Sequence, residues 1–326
     1  MDTLSLLEKF FIKPENTDAG INFCDIPTPI SFLDSNVSII GIPIDITTTF
    51  GKTASYGPQA IRLASSKQIE TLVFEKNIEI FEKSMIFDFG DLALASRKNN
   101  VIKTKTEISG FWKEFDVEIA KITNALLDSG KKPLYLGGEH TITYSIFKAF
   151  SKYSPLLVHF DAHRDLKPIY DGMEMCHTTP FYHLINEGIL NGSDLVQIGI
   201  RQADKEENTF ASKSNVKTFS AWDCHYSFEK VKGWLREQSK NRNVYISFDI
   251  DVYDIPYVPC SGTPEPFGLD PFQVNEIINS FDSSSCLLGL DIVEAGLKNH
   301  DYREGALATQ TLLRILTHDF VAGNQP

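Results

Sequence analysis

The chain has no long apolar run and no recognisable targeting segment at its start. No stretch approaches the ~20 consecutive apolar residues that a membrane-spanning helix needs. The first nine residues lack a basic region and are interrupted by Asp2 and Glu8, unlike a secretory signal or an Arg-rich transit peptide. We therefore expect a cytoplasmic protein that does not associate with membranes.

Cysteine and positive charge are also scarce. The five cysteines are scattered, odd in number and form no Cys-x-x-Cys pair, which argues against a disulfide framework or a structural zinc site. The formal net charge of −12 argues against nucleic-acid binding, which needs basic patches. No repeat, low-complexity segment or Pro/Gly/Ser-rich linker divides the chain.

A short apolar run followed by a helical stretch recurs along the sequence. Continuous apolar strands that alternate with helices predict a parallel sheet covered on both faces. The predicted strands are Val37–Ile42, Met85–Phe87, Pro133–Leu136, Leu156–Phe160, Leu195–Ile200, Asn243–Phe248 and Leu287–Val293. The predicted helices include Gly57–Ser66, Phe111–Ser129 and Phe228–Lys240.

Acidic residues and histidine directly follow several of these runs. In an open parallel sheet, ligands bind outside the carboxyl ends of the strands, so we expect these side chains at one edge of the sheet. They are Asp88 and Asp91, then His140, then Asp161, His163 and Asp165, then Asp249 and Asp251, and finally Glu294.

Four of these aspartates and two of the histidines indicate a site for two divalent cations. Asp161, His163 and Asp165 alternate, so an extended backbone would point all three to one side. Carboxylates and imidazoles without thiolates favour Mn²⁺. Six ligands are too many for one tetrahedral zinc ion but suit two metals about 3.5–4 Å apart that share carboxylates.

The charge of such a site predicts a small cationic substrate. Four aspartates offset two divalent ions, and Glu294 adds a further negative charge. Two such ions also lower the pKa of water and so supply a nucleophile near neutral pH. A guanidinium fits because it is planar, permanently charged and matched to a carboxylate such as Glu294.

The motifs resemble those of the ureohydrolase (arginase/agmatinase) family in order and spacing, over roughly residues 35–320. The resemblance implies a three-layer αβα sandwich around a mostly parallel eight-stranded sheet, and assembly as a homotrimer or homohexamer. We predict a single ureohydrolase domain over residues 36–326, preceded by an extension over residues 1–35. The motifs are Gly137-Gly138-Glu139-His140, Asp161-Ala162-His163-Arg164-Asp165, Ser247-Phe248-Asp249-Ile250-Asp251, Ser261-Gly262-Thr263-Pro264-Glu265-Pro266 and Gly289-Leu290-Asp291-Ile292-Val293-Glu294.

The resemblance also implies a role for each site residue. Glu294 would hold the guanidinium, and His177 would contact the substrate and transfer protons. One Mn²⁺ would bind His140, Asp161, Asp165 and Asp249, and the other His163, Asp161, Asp249 and Asp251.

Within the family, the likeness is greater to agmatinases than to arginases. Ser55–Arg62 resembles their N-terminal "GP-AIR" element, and Lys167 stands where arginases usually carry an Asn. We therefore predict hydrolysis of agmatine to urea and putrescine, a step of polyamine biosynthesis. Arg164, Lys167 and Tyr170 are interpreted as lining the mouth of the site, where positive charge would favour a guanidino acid instead.

Several alternatives stay open at this point. The substrate is alternatively guanidinobutyrate, arginine, guanidine or formiminoglutamate, and a non-catalytic member could keep the same fold. Glu139 replaces the usual Asp and is interpreted as orienting a metal ligand, while His159 is interpreted as a core residue or a support for a ligand. No chemical role is expected for His183, His225, His300, His318 or Cys176.

Overall fold

Eight parallel strands form the centre of the molecule, and a ninth, antiparallel strand lies at one edge. A computed structural model describes residues 3–25 and 31–321 of the chain. The order of strands across the sheet is β1-β5-β2-β6-β11-β10-β7-β8-β9, and β3 and β4 form a separate two-stranded ribbon. The strands are β1 (Phe11–Ile12), β2 (Val37–Ile42), β3 (Leu72–Val73), β4 (Ile78–Glu79), β5 (Ile86–Leu92), β6 (Lys132–Gly137), β7 (Leu156–Phe160), β8 (Leu195–Ile200), β9 (Lys217–Ser220), β10 (Asn243–Asp249) and β11 (Cys286–Val293).

The ninth strand is the one difference from the predicted sheet of eight. Phe11 and Ile12 pair antiparallel with Leu92 and Asp91 at the outer edge of β5. This pairing covers an edge that would otherwise present unpaired backbone groups. Two residues are too few to form a hydrophobic pattern, so this strand could not be predicted from the sequence.

Helices cover both faces of the sheet, which confirms the three-layer arrangement. One large apolar cluster packs α2, α3 and α9–α12 against one face of the sheet. A second cluster packs α1 and α4–α8 against the opposite face. The helices are α1 (Thr3–Leu7), α2 (Gly57–Lys67), α3 (Ile80–Lys83), α4 (Ala93–Lys98), α5 (Lys105–Asp128), α6 (Ile142–Phe150), α7 (Pro180–Asn186), α8 (Lys205–Lys213), α9 (Ala221–Tyr226), α10 (Phe228–Ser239), α11 (Pro271–Ile278) and α12 (Arg303–Leu316).

Helix α5 begins six residues before its predicted start. Thr104 caps it, because the Thr104 hydroxyl accepts from the backbone N–H of Glu107 while the Glu107 side chain accepts from the backbone N–H of Thr104. This reciprocal pair is a capping box, which satisfies backbone donors at the start of a helix. The first apolar residue of the buried face, Ile108, follows directly.

The prediction that Asp88 and Asp91 join the other acids is wrong. Both lie within β5, and the fully buried guanidinium of Arg62 in α2 pairs with them. Its Nε lies 2.8 Å from Asp88 Oδ2, and its Nη1 lies 2.5 Å from Asp91 Oδ1. The apolar run of β5 therefore continues past these acids, because a cation from a distant helix neutralises them.

Among the described residues, no helix is both long enough and apolar enough to cross a membrane. The cytoplasmic location expected from the sequence stays a prediction.

Candidate active site

Four neighbouring strands, β6, β11, β10 and β7, carry the predicted functional residues at their carboxyl ends. Each strand is fully or almost fully buried, so the side chains that follow it emerge from the interior into one crevice. His140 follows β6, Glu294 follows β11, Asp249 and Asp251 lie at the end of β10, and Asp161, His163 and Asp165 follow β7.

Three carboxylate oxygens converge on one ring nitrogen of His140. The distance from Nδ1 is 3.2 Å to Asp161 Oδ2, 3.1 Å to Asp165 Oδ2 and 3.2 Å to Asp249 Oδ2. This nitrogen is buried, and it has no hydrogen-bond partner among the described residues. Burial acts to lower the pKa of His140, but the carboxylates of Asp161, Asp165 and Asp249 outweigh it and raise that pKa well above its usual range, so this position favours a cation.

A divalent cation fits this arrangement. Two ligands at about 2.1 Å from an octahedral ion, at a right angle to each other, lie about 3 Å apart. The distances around His140 Nδ1 match that separation, and the donor set of imidazole and carboxylate is one that divalent transition metals bind. His140, Asp161, Asp165 and Asp249 could therefore hold an ion.

A second group of donors lies beside the first. His163 Nδ1 is 3.0 Å from Asp251 Oδ2 and 3.4 Å from Asp161 Oδ1, and these groups could also hold a metal. Asp161 thus directs Oδ2 to His140 and Oδ1 to His163. A carboxylate shared in this way is the arrangement expected of a ligand that bridges two ions.

Burial makes these carboxylates costly to ionise without a cation. Desolvation and the charge of Asp161 raise the pKa of Asp165 to about 7. Desolvation, with the charges of Asp251 and Asp161, raises the pKa of Asp249 well above its usual range. Burial also acts to raise the pKa of Asp161, but His159 and the other histidines outweigh it and hold that pKa well below its usual range. Divalent cations would favour the ionised form of all of them.

We predicted that an extended backbone would point Asp161, His163 and Asp165 to one side, but the backbone is not extended throughout this segment. Asp165 has φ of 53°, and Glu294 has φ of 59°, both in the left-handed region that side chains other than glycine rarely adopt. The chain therefore turns at Asp165 after β7 and at Glu294 after β11. Local strain of this kind is commonly found at functional sites.

The second ring nitrogen of His140, Nε2, forms a hydrogen bond with Ser247. His140 Nε2 lies 2.9 Å from Ser247 Oγ, and the Ser247 hydroxyl donates to Asp291 Oδ1 at 2.7 Å. The Tyr245 hydroxyl donates to the other Asp291 oxygen at 2.6 Å. Because the Ser247 proton goes to Asp291, His140 Nε2 must donate, so Nδ1 is the nitrogen at which an ion could take the place of a proton.

His159 supports the shared carboxylate of Asp161. Its Nε2 lies 2.7 Å from Asp161 Oδ2, and its Nδ1 lies 3.1 Å from the side-chain nitrogen of Gln197. The Gln197 oxygen accepts from Arg164 Nη1 at 2.8 Å, which orients the amide so that its N–H₂ faces His159. Gln197 therefore selects the tautomer of His159 that donates to Asp161.

Glu294 lies against the same crevice. Its Oε1 accepts from the backbone N–H of His140 at 2.8 Å, and its backbone N–H donates to Gly138 at 2.9 Å. A side chain at Gly262 would bring Cβ within 3.6 Å of Glu294 Oε2, so glycine keeps this oxygen accessible. Burial and the nearby Glu139 raise the pKa of Glu294 well above its usual range.

Thr47 and Glu139 hold His177. The Glu139 carboxylate is fully buried and accepts from the Thr47 backbone N–H at 2.6 Å and from the Thr47 hydroxyl at 2.7 Å. The Thr47 hydroxyl in turn lies 3.3 Å from His177 Nδ1. Burial, together with the His163 and His140 rings, lowers the pKa of His177 to about 4. His177 is therefore neutral at pH 7 and able to accept a proton.

Arg164 and Lys167 are both engaged by other side chains. Arg164 donates to Gln197, Asn208 and Thr218, at 2.8, 2.8 and 2.9 Å respectively. The Lys167 ammonium pairs with Asp204 and, at 3.2 Å, with Glu207. The interpretation that these two residues place positive charge at the mouth of the site is thus not supported by their contacts. Tyr170 does lie near the site, because its ring is 6.0 Å from that of His177.

The cysteines and the other histidines have no assigned role at the site. All five cysteines lie in the described part of the chain, where they are buried and form no disulfide, and burial raises the pKa of the Cys176 thiol. His183 pairs with Glu187 on α7, and His318 packs against Phe320 near the end of the described chain.

Sequence reasoning missed the groups that hold the predicted residues in place. Ser247 and Asp291 both lie within quoted motifs. Ser247 precedes Asp249 by two positions, and this spacing places both side chains on the same side of a strand. Thr47 belongs to a run of three threonines after β2, but nothing local connects that run to His177. Gln197 gave no signal.

Comparisons with known proteins place the chain in one family. A family model described as the arginase family matches residues 35–316. The chain is 33% identical over 270 residues to an agmatinase of Pyrococcus horikoshii, covering 83% of this chain and 87% of that protein. It is 32% identical over 273 residues to a guanidinobutyrase of Pseudomonas aeruginosa, covering 82% and 80%.

A solved structure, described as the agmatine ureohydrolase of Thermoplasma volcanium, has the same fold. The TM-score is 0.77 at 25% sequence identity, and the match covers 97% of each chain.

Proposed function

The chain belongs to the arginase family, and we propose that it uses two Mn²⁺ ions to hydrolyse agmatine to urea and putrescine. It is a hydrolase that acts on C–N bonds of linear amidines, as are its named relatives. The observation that carries the proposal is the convergence of buried carboxylates on His140 Nδ1, an atom without a hydrogen-bond partner among the described residues.

We assign two overlapping sets of ligands. Asp161 and Asp249 belong to both sets, and the two directions of the Asp161 oxygens support a bridging role for that residue. The choice of Mn²⁺ rests on the absence of thiolate ligands. His140 and Asp165 complete the first set, and His163 and Asp251 complete the second.

The protein side chains would hold the substrate and move one proton. When bound, the two ions would supply the nucleophile by lowering the pKa of water. Glu294 would accept hydrogen bonds from the guanidinium, whose positive charge favours ionisation of that buried carboxyl group. His177, neutral at pH 7, would accept a proton and return it to the departing amine.

Agmatine is favoured over a guanidino acid by the contacts of the basic residues. Arg164 is engaged by Gln197, Asn208 and Thr218, and Lys167 is paired with acids on α8, so neither offers a free cation to a substrate carboxylate. A cationic tail would also suit the acidic balance of the chain, which carries a net charge of −12.

A guanidino acid is the second candidate. A relative named guanidinobutyrase is nearly as similar to the chain as a relative named agmatinase, at 32% against 33% identity. Family membership is therefore compatible with either substrate, and the positions of Arg164 and Lys167 are the structural argument between them.

The test is urea release by Mn²⁺-loaded protein from agmatine, arginine, guanidinobutyrate, guanidinopropionate and guanidine. We expect a preference for agmatine of about a hundredfold or more in kcat/KM, and about two metal ions per chain by elemental analysis. Turnover of guanidinobutyrate alone would refute the substrate and keep the mechanism. Absence of urea from every compound would refute the proposed activity and leave formiminoglutamate as the next substrate to assay.

We further propose that residues 36–326 form one domain in the cytoplasm and that the chain assembles as a homotrimer or homohexamer. The exposed rings of Trp222 and Phe267, 50% and 73% accessible with centroids 6.4 Å apart, provide an apolar surface suited to a subunit contact. Light scattering after size-exclusion chromatography tests the assembly, and a monomer would refute it.

A further inference from the structure

Thr47 lies between Glu139 and His177 and contacts both. It is 2% exposed and follows β2 on a loop that packs against the end of β6 through the hydrogen bond from the Glu139 N–H to Ile44. Its hydroxyl lies 2.7 Å from Glu139 Oε1, 3.1 Å from the backbone nitrogen of His177 and 3.3 Å from His177 Nδ1.

The direction of each hydrogen bond follows from the donors available. A threonine hydroxyl has one proton and two lone pairs. The Glu139 carboxylate receives donors on both oxygens, from the Thr47 backbone, the Thr47 hydroxyl and the Thr141 hydroxyl. Burial raises the pKa of Glu139 to about 7, so the direction is set where Glu139 is ionised, at neutral pH and above. There the Thr47 proton is committed to Glu139, and the Thr47 oxygen can only accept from His177. The His177 ring must then carry its proton on Nδ1.

We propose that Thr47 is a positioning residue that fixes the Nδ1–H tautomer of His177 and leaves Nε2 as the free base. This inference rests on the proposed function, because His177 transfers protons only there. With the tautomer fixed, Nε2 would accept the proton that water loses as its oxygen bonds to the guanidinium carbon. It would later give that proton to the amine nitrogen, which takes the electron pair of the broken C–N bond. The ring needs neither to rotate nor to exchange protons between its nitrogens.

The chain offers a matched set of variants. Thr47→Val removes the hydroxyl and keeps the branched shape, and Thr47→Ser restores the hydroxyl. Thr48→Val is the control, because Thr48 is also buried but its hydroxyl donates to the backbone oxygen of Asp45. Within the described part of the chain, Thr48 makes no hydrogen bond to Glu139 or His177.

A double-mutant cycle tests whether Thr47 acts through His177. With agmatine, Thr47→Val should lower kcat about tenfold or more, leave KM within about twofold and leave the metal content unchanged. Thr47→Ser should restore most of the rate, and Thr48→Val should behave as wild type. In a His177→Ala background, Thr47→Val should cause no further loss. An equal loss in both backgrounds would overturn the proposal, because Thr47 would then act through packing alone.

A second measurement needs no substrate. Protein labelled with ¹⁵N-histidine and loaded with diamagnetic Zn²⁺ is studied by solid-state NMR, and the His177 signals are those lost in His177→Ala. We expect a protonated Nδ1 and a bare Nε2 in wild type, and a mixture of tautomers in Thr47→Val. A protonated Nε2 in wild type would overturn the proposal. Absence of urea from all guanidines would refute the proposed function instead, and the tautomer would still decide the inference.

Discussion

Replacing Gln197 by Leu should weaken metal binding although Gln197 is not among the proposed ligands. Gln197 is fully buried, and its N–H₂ lies 3.1 Å from His159 Nδ1. His159 Nε2 in turn lies 2.7 Å from Asp161 Oδ2. Leucine keeps the volume but cannot donate, so His159 loses the group that selects its tautomer.

The expected loss of metal affinity can be estimated from the hydrogen bond between His159 and Asp161. A hydrogen bond to a charged group contributes about 1.5–3 kcal/mol, and the tautomer with its proton on Nδ1 would place a lone pair against the Asp161 carboxylate. Supporting groups of this kind typically change metal affinity about 10–100-fold, which corresponds to about 1.4–2.7 kcal/mol. We therefore expect Gln197→Leu to raise the Kd for one of the two proposed ions by about that factor.

Electron paramagnetic resonance of free Mn²⁺ during titration of metal-free protein gives the affinity and the number of ions directly. Asn208→Ala is the control, because Asn208 is exposed and contacts the same arginine, Arg164, from the side away from Gln197. Wild-type affinity in Gln197→Leu would refute the reasoning. If His159→Phe lowered the stoichiometry from two ions to one, His159 would be a ligand rather than a support for Asp161.

Four further predictions follow from the site and the fold. Asp249→Asn should lower the metal content and abolish urea release, as measured by elemental analysis and a urea assay, and unchanged activity would contradict the ligand assignment. His177→Ala should keep both ions but lose most of kcat, with partial rescue by added imidazole; loss of metal would instead make His177 a ligand. Arg62→Met should lower the free energy of unfolding in urea by about 3–5 kcal/mol, because it leaves two buried carboxylates unpaired, and a neutral effect would contradict the buried ion pair. Burial lowers the pKa of His318 to about 4, so stability should be lost as pH falls from about 6.5 to 4, by up to about 3 kcal/mol, and His318→Leu should lose less over that range than the surface control His225→Leu.

The strands at the centre of the sheet could be predicted because their environment repeats along the chain. Residues of β2, β7 and β8 are buried on both faces, so each reads as a continuous apolar run with correct bounds. The edge strand Lys217–Ser220 is only partly buried and carries polar residues, and it was missed. Burial at the centre leaves a signal in the sequence, and partial exposure at the edge does not.

The site could be predicted as a set of residues but not as a geometry. Acids and histidine that directly follow an apolar run lie at the carboxyl edge whatever the loops do, and this placed His140 and Asp249 together. Asp88 and Asp91 follow a similar run, but the strand continues through them because Arg62 neutralises them from α2. Partners so distant in sequence leave no local pattern, and the same holds for the three side chains that hydrogen-bond to Arg164.

The polar groups beneath the site follow from the two-residue period of the strands. His159 precedes Asp161 by two positions and Ser247 precedes Asp249 by two, so each lies on the same side of its strand, one step deeper. The parallel register aligns Asp291, Ser247, His159 and Gln197 across four adjacent strands, on the face that α5–α8 cover. A row of polar side chains through a buried sheet is costly unless each member is hydrogen-bonded, and each member here has a partner at 3.1 Å or less. This row of polar residues therefore orients two groups of the site. Ser247 orients the His140 ring, and His159 orients the Asp161 carboxylate. Disrupting the row should change metal affinity before it changes the fold.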